Sequence, residues 1–157
     1  MMKSNRIRPL VICIFSYNHS ILVSEGYDPI KNQRFYRPLG GGIEFGETSA
    51  AALTREVREE LGAEIGQLRY LGTLENIFIY NGQAGHEIVQ IYDAQFIEPV
   101  LYREPGVTGH EDDGSSFEAF WKPVADFKDK SCPLYPHGLF ELLQQHGYLY
   151  EDEIQSS

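Results

Sequence analysis

Strand-like apolar runs, turn-rich breaks and two amphipathic helical segments predict an α/β fold with two helices around a mixed sheet. Leu10 to Ser16 and Ile21 to Ser24 read as strands, joined by a hairpin at Tyr17-Asn18-His19-Ser20. Glu25 to Gln33 is polar and carries Gly26 and Pro29, which reads as a loop, and Arg34 to Arg37 reads as a short strand leading into Gly40-Gly41-Gly42. A helix is predicted from about Thr48 to Leu61, capped by Thr48 or Ser49 and stopped by Gly62. Leu68 to Tyr80 and Glu87 to Ile97 follow as strands around the turn Asn81 to Gly85. Ser116 to Lys122 is a further strand, and Pro136 or His137 to Gln145 a second amphipathic helix.

The chain of 157 residues suits a single domain, 1–157, with the acidic, polar stretch 149–157 expected to be a frayed tail. Hydrophobic content of 42% and aromatic content of 13% exclude a disordered chain. The net charge of −10 argues against a general nucleic-acid surface, and an acidic protein acting on an anionic phosphate needs bound cations. Cys13 and Cys132 are the only cysteines, and Cys13 lies in an apolar run that suits a core thiol. Lys3, Arg6 and Arg8 precede a brief apolar run, but Tyr17-Asn18-His19 interrupts it and no small-residue cleavage site follows. No stretch is long enough to span a bilayer, so a cytoplasmic location is expected.

The helix after the glycines carries the chemistry. With Glu56 set at zero and 100° per residue, Glu59 falls at about −60° and Glu60 at about +40°. Ala50, Leu53, Val57 and Leu61 form an adjoining apolar stripe, so packing that stripe would hold the three acids at the rim of the buried face. Like charges at this spacing repel, and a hard divalent cation with oxygen ligands removes the repulsion. The acids therefore read as a metal site. Gly40, Gly41 and Gly42 read as a sharp turn whose missing Cβ atoms let the backbone approach a ligand. Arg55, one turn before Glu59, has the spacing of an orienting ion pair.

These residues resemble the Nudix box, G-x5-E-x7-R-E-U-x-E-E-x-G-U, where U is a bulky aliphatic residue. Gly41, Glu47, Arg55, Glu56, Val57, Glu59, Glu60 and Gly62 occupy its positions, and only Ala63 departs, being aliphatic but small. Seven fixed letters in register arise by chance far less than about once in a million chains. Outside the box, Pro38-Leu39-Gly40-Gly41 inverts the usual Leu-Pro-Gly-Gly, and Phe120-Trp121-Lys122-Pro123-Val124 resembles the aromatic strand before the last helix. The resemblance implies an α/β/α sandwich and a hydrolase that cleaves a pyrophosphate bond in a nucleoside diphosphate linked to another group. It implies that Glu56, Glu59 and Glu60 bind Mg²⁺, with Mn²⁺ able to substitute, and that Glu47 and Arg55 form a supporting salt bridge. It names Glu56 or a more distant acid as base.

Glu44, near the glycines, is a further candidate for metal contact. Glu111, with Asp112 and Asp113 on a polar loop from Val107 to Ser116, could supply the base from a lid that repulsion holds open in the empty protein. Arg34 and Arg37 could meet a terminal phosphate; Phe35, Tyr36, Phe78 and Tyr80 could stack a base or fill the core. His86-Glu87 faces substrate or forms a surface pair. The expected partner is a nucleotide-type small molecule, without nucleic acid or membrane, and a homodimer is compatible. Candidate substrates are oxidised nucleotides, ADP-ribose or another nucleotide sugar, and dinucleoside polyphosphates. The alternative is a nucleotide-binding sensor of the same fold that does not hydrolyse its ligand.

Overall fold

The computed structural model describes residues 5–149. Eight strands form the sheet: β1 (Arg8–Ile14), β2 (Ser16–Tyr17), β3 (Ser20–Asp28), β4 (Gln33–Gly42), β5 (Ile65–Tyr80), β6 (Gln83–Phe96), β7 (Gly106–His110) and β8 (Ser116–Pro123). Their order is β5-β6-β1-β4-β3-β8-β7, with β2 paired to β3, and β1 and β6 are the parallel pair. The helices α1 (Ser49–Leu61) and α2 (Leu139–Gln145) lie on opposite faces. Val11, Cys13 and Phe15 pack with Leu53 and Val57 of α1, while Leu10, Ile12 and Ile14 pack with Leu139 and Leu143 of α2. Strand alternation sends neighbouring residues of β1 to opposite faces, so one strand serves both cores. The predicted sandwich with its mixed sheet is what forms.

Several boundaries differ from the sequence reading. The polar stretch after Ser24 continues as strand to Asp28, paired from Ser24↔Arg37 to Asp28↔Gln33 against β4. Polarity misleads there because only one face of this hairpin is covered. The turn between β5 and β6 is the two residues Asn81 and Gly82, with φ of 52° and 77°, the positive pair that a tight hairpin requires. Asn18 and His19, at 55° and 66°, make the equivalent turn between β2 and β3. The segment expected as a lid loop is largely strand: β7 pairs with β8 from Gly106↔Phe120 to His110↔Ser116. Most of the stretch expected as a frayed tail, from 150 onward, lies outside the described residues.

Three aromatic–glycine pairs lock the hairpins. Phe35 lies over Gly26, Phe78 over Gly85 and Phe117 over Gly109, each directly opposite in register. A Cβ on any of these glycines would meet the ring at 2.3 Å. Phe35 and Phe78, considered as base-stacking residues, thus have ring area committed to the hairpins.

The three glycines before α1 require a correction as well. They lie in β4 rather than in a turn, and none has positive φ; the sharp bend falls later, at Gly46 with φ of 88°. Their role is close packing. A Cβ on Gly40 would sit 2.0 Å from the Val11 carbonyl oxygen, and one on Gly41 would sit 2.2 Å from the Glu56 carboxyl carbon, whereas Gly42 has open space. Gly40→Ala is therefore predicted to destabilise the fold by about 1–3 kcal/mol, and Gly42→Ala to stay within roughly 0.5 kcal/mol of the parent. Denaturant unfolding of both variants checks this, and equal costs would reject the packing argument.

Candidate active site

Thr48 caps α1 by accepting a hydrogen bond from the Ala51 amide at 3.1 Å, and Gly62 ends it with φ of 66°. Between these caps the buried face is formed by Ala52, Leu53, Glu56, Val57 and Glu60. This overturns the expected rim position of the acids: Glu56 and Glu60 are each only 8% exposed and sit within the packed face. Glu59 points outward, its side chain 48% exposed. The helix rolls toward its acids because β4 offers the Cβ-free Gly41 beneath Glu56, and β7 packs alongside.

Arg55 organises the outer half of the site. Its Nε and Nη2 donate to the two carboxylate oxygens of Glu47 at 2.6 and 2.9 Å, and Nη2 also donates to the Gly42 carbonyl at 3.0 Å. Its Nη1 lies 3.2 Å from both Glu56 Oε2 and Glu59 Oε1, and 3.9 Å from Glu44 Oε2. The bidentate contact holds Glu47 down at about 2. Glu47 in turn accepts from the Glu44 amide at 3.0 Å, which pins the bend before the helix. Glu44, with its side chain 72% exposed, stays at the mouth.

Glu56 and Glu60 face each other in the inner half. Burial raises both, and for Glu60 the added fields of Glu56, Glu111 and Asp112 push it up to about 9. Glu111 and Asp112 lie exposed at the β7–β8 tip and act on Glu60 through their charge; there Gly114, at φ of 88°, donates to the Glu111 carbonyl at 3.0 Å. Asp113 does not take part: its carboxylate accepts from the Ser115 amide and hydroxyl at 2.9 and 2.6 Å and closes the turn. The β7–β8 ladder, up to His110↔Ser116, carries most of the segment read as a flexible lid.

Among the described residues, no three His, Cys, Asp or Glu side chains already converge as a metal-binding group. Glu59, paired with Arg55, is the member that stands apart. The donors that α1 offers, Glu56, Glu59 and Glu60, are all carboxylate oxygens, the chemistry a hard divalent cation prefers. The residues fit such an ion.

Arg37 lies elsewhere, on the buried carboxylate of Glu87, at 3.5 Å, with Arg8 at 3.7 Å from the other oxygen. Asn76, itself buried, donates to Glu87 at 3.3 Å and accepts from the His137 amide at 3.2 Å. Phe35 and Tyr80 flank this region with Tyr135 and His137 in a chain of ring contacts at 4.8–5.8 Å. Sequence reading placed Glu87 at a surface or substrate position and overlooked Asn76. Strand parity was the available signal: Glu87 shares its face with Val89 and Ile91, both fully buried. Arg34 instead lies 3.6 Å from Glu25 on the exposed hairpin. Cys13 and Cys132 are free thiols, and burial pushes Cys13 well up.

Residues 6–142 match the NUDIX domain. The chain belongs to this family. Among curated proteins it is similar to the NAD-capped RNA hydrolase NudC of Mycobacterium tuberculosis (strain ATCC 25177 / H37Ra), 30% identical over 93 residues, covering 58% of this chain and 29% of that one. The NudC of Haemophilus influenzae (strain PittGG) is 36% identical over 104 residues, covering 57% and 39%. The NUDIX chain thus spans well under half the length of these relatives. Among solved structures, a NUDIX hydrolase from Nitrosomonas europaea aligns with a TM-score of 0.62 at 15% identity, covering 95% of each chain. A MutT NUDIX hydrolase from Burkholderia pseudomallei aligns at 0.58 and 21%, covering 90% of this chain and 98% of its own. At these identities the structures speak for the fold alone.

The folded state holds a proton on Glu60 that the unfolded chain releases near the ordinary value of 4.5. This contribution to stability is fully present below that value and is lost as pH rises through about 9. Stability of the metal-free protein is therefore predicted to fall from mildly acidic to alkaline pH, and Glu60→Gln to flatten the fall. Mg²⁺ should restore the melting temperature at the alkaline end, with Ca²⁺ as a binding control. Melting curves across pH in chelator and in Mg²⁺ test this; curves that overlay at matched ionic strength would reject a cation-binding pair.

Proposed function

We propose that this NUDIX protein is a metal-dependent hydrolase of a pyrophosphate bond in a nucleoside diphosphate linked to another group, releasing a nucleotide and the phosphorylated second group. The observation that carries this reading is the buried Glu56 and Glu60 of α1, beside the Arg55–Glu47 contact and over the Cβ-free Gly41. Two carboxyl groups buried in an otherwise apolar helix face have no packing value; they suit cation-assisted phosphate chemistry.

In this proposal Glu56, Glu59 and Glu60 hold Mg²⁺ or Mn²⁺, with Glu44 at the mouth. When bound, the cation offsets charge on the phosphate oxygens and lowers the pKa of water. Glu59 would leave Arg55 to join the pair, and Arg55 would keep Glu47 and the Gly42 carbonyl. The backbone of Gly40 to Gly42 lies beside the diphosphate, and Arg37 reaches the phosphates or base from beside Glu87. Glu111 takes the proton of the attacking water as its oxygen bonds to phosphorus. The bridging P–O bond breaks and the leaving phosphate keeps the electron pair. Arg37 and the rings of Tyr80 and Tyr135 supply a cationic and aromatic setting that suits a nucleotide.

The decisive experiment is a substrate panel with Mg²⁺ and Mn²⁺, the products resolved by chromatography. It includes oxidised nucleoside triphosphates, ADP-ribose, other nucleotide sugars, dinucleoside polyphosphates and NAD, the last because the relatives carry NAD-capped RNA in their name. Binding without turnover of any member would favour the nucleotide-sensor reading.

Glu59→Gln and Glu60→Gln are each predicted to keep the circular dichroism of the parent and to cut turnover by orders of magnitude, since an amide keeps the shape but removes the cation-holding charge. Near-parental turnover of either would remove that residue from the metal set. Glu111→Gln is predicted to lower kcat far more than it changes KM and to abolish the acidic limb of the pH–rate profile. Should kcat and the limb both survive, the base lies elsewhere, with Glu56 and Glu44 next.

A further inference from the structure

A second cleft, of about 730 Å³, opens at the far ends of β1 and β6 and includes none of the box acids in its lining. Tyr17 and Tyr102 form its aromatic wall, with ring centroids 5.5 Å apart, and Tyr102 is stacked at 5.7 Å on Trp121. The Tyr102 hydroxyl is engaged by the Phe96 amide at 2.8 Å, which fixes the ring, while Tyr17 remains 46% exposed. The wall is rigid and has an aromatic ring left open to solvent.

The opposite side of the cleft is polar, and its charge is not that of the rest of the protein. Asp93 is its single carboxylate among the described residues, and Asp93 is paired with Arg69 at 2.7 Å and accepts a hydrogen bond from the Tyr148 hydroxyl. Arg103 lines the cleft with no ion pair or hydrogen bond to its guanidinium among the described residues. In a chain of net charge −10, the lining of this cleft carries two arginines, Arg69 and Arg103, against the one carboxylate Asp93.

The backbone is also strained at this place. Gln67 has φ of 56°, in the left-handed region that a glutamine rarely adopts, at the irregularity where β5 slips register between Gly66 and Arg69. That slip turns Gln67 and Arg69 into the cleft lining. Strain of this kind persists where surrounding structure enforces it, and it clusters at ligand sites.

We propose that this cleft is a second binding site for a small anion with a planar ring, the class to which a nucleoside monophosphate belongs. The ring stacks on Tyr17, the anion pairs with Arg103, and the amide of Gln67 meets the ring edge. The site needs no divalent cation, because its charge is supplied by arginine, and it does not depend on the reaction proposed for the box acids.

Trp121 is the sole tryptophan of the chain and its ring lies 6.1 Å from that of Tyr17, so its fluorescence reports on the cleft. The full chain is titrated with adenosine 5′-monophosphate in chelator, with adenosine and inorganic phosphate as separate arms. A saturable change with the monophosphate is expected, at least about tenfold weaker for either half alone and for Arg103→Gln or Tyr17→Ala. Glu60→Gln should bind as the parent does. Arg103 is exposed and unpaired, so its variant tests the site without a folding cost. The proposal is overturned if no saturable change occurs, if both cleft variants bind unchanged, or if phosphate alone binds as well as the monophosphate. Binding that requires Mg²⁺ or is lost in Glu60→Gln would place the nucleotide at the acid helix and overturn it equally.

Discussion

The geometry around α1 depends on one guanidinium. Arg55 ties Glu47 in a two-pronged contact, holds the Gly42 carbonyl at the end of β4, and stands between Glu56 and Glu59. Four carboxylates, those of Glu44, Glu47, Glu56 and Glu59, lie within 4 Å of it. Without that positive charge the bend from Gly42 to Thr48 would lose the contact that fixes the helix entry, and the acids would be left to repel one another. A planar fork serves several oxygens at once, which a lysine ammonium on its flexible stem cannot do.

What Arg55 leaves unbalanced lies deeper. It contacts Glu56 but not Glu60, so Glu60 is raised first by burial and then by the fields of Glu56, Glu111 and Asp112. Burial of two carboxyls in an otherwise apolar face is unfavourable by several kcal/mol unless neutralised. The protein tolerates it because the rest of α1 is well anchored: Leu53 and Val57 are fully covered by the sheet, and both helix ends are capped. The apolar half of the helix thus sustains the strained acidic half.

The close approach at β4 is the complementary constraint. Gly41 has to lack a side chain because Glu56 occupies that space, and Gly40 because β1 does. The same economy recurs in the three hairpins where a phenylalanine covers the glycine opposite it. Close backbone packing therefore explains glycines that a reading of turns alone assigns to flexibility, and it explains why the bend falls at Gly46 instead.

Much of this was legible in the order of residues. The α1 boundaries follow from Thr48 and Gly62, whose capping chemistry is local, and the two-helix sandwich follows from periodicity and from the box spacing Gly41 to Gly62. Local hydrogen bonding and side-chain period act over a few residues, so they are written in the chain directly. Which acids turn inward was not. The roll of α1 is set by Gly41 beneath it and β7 beside it, residues distant in sequence, and this roll buries Glu56 and Glu60 while leaving Glu59 outside. The same holds for Glu111, placed on the β7–β8 tip by strand pairing, and for Arg37, drawn to Glu87 50 residues further along the chain. The sequence by itself determined the elements and the supply of acids. Tertiary structure decided which of them are buried and raised, because burial and long-range charge exist only once the faces have closed.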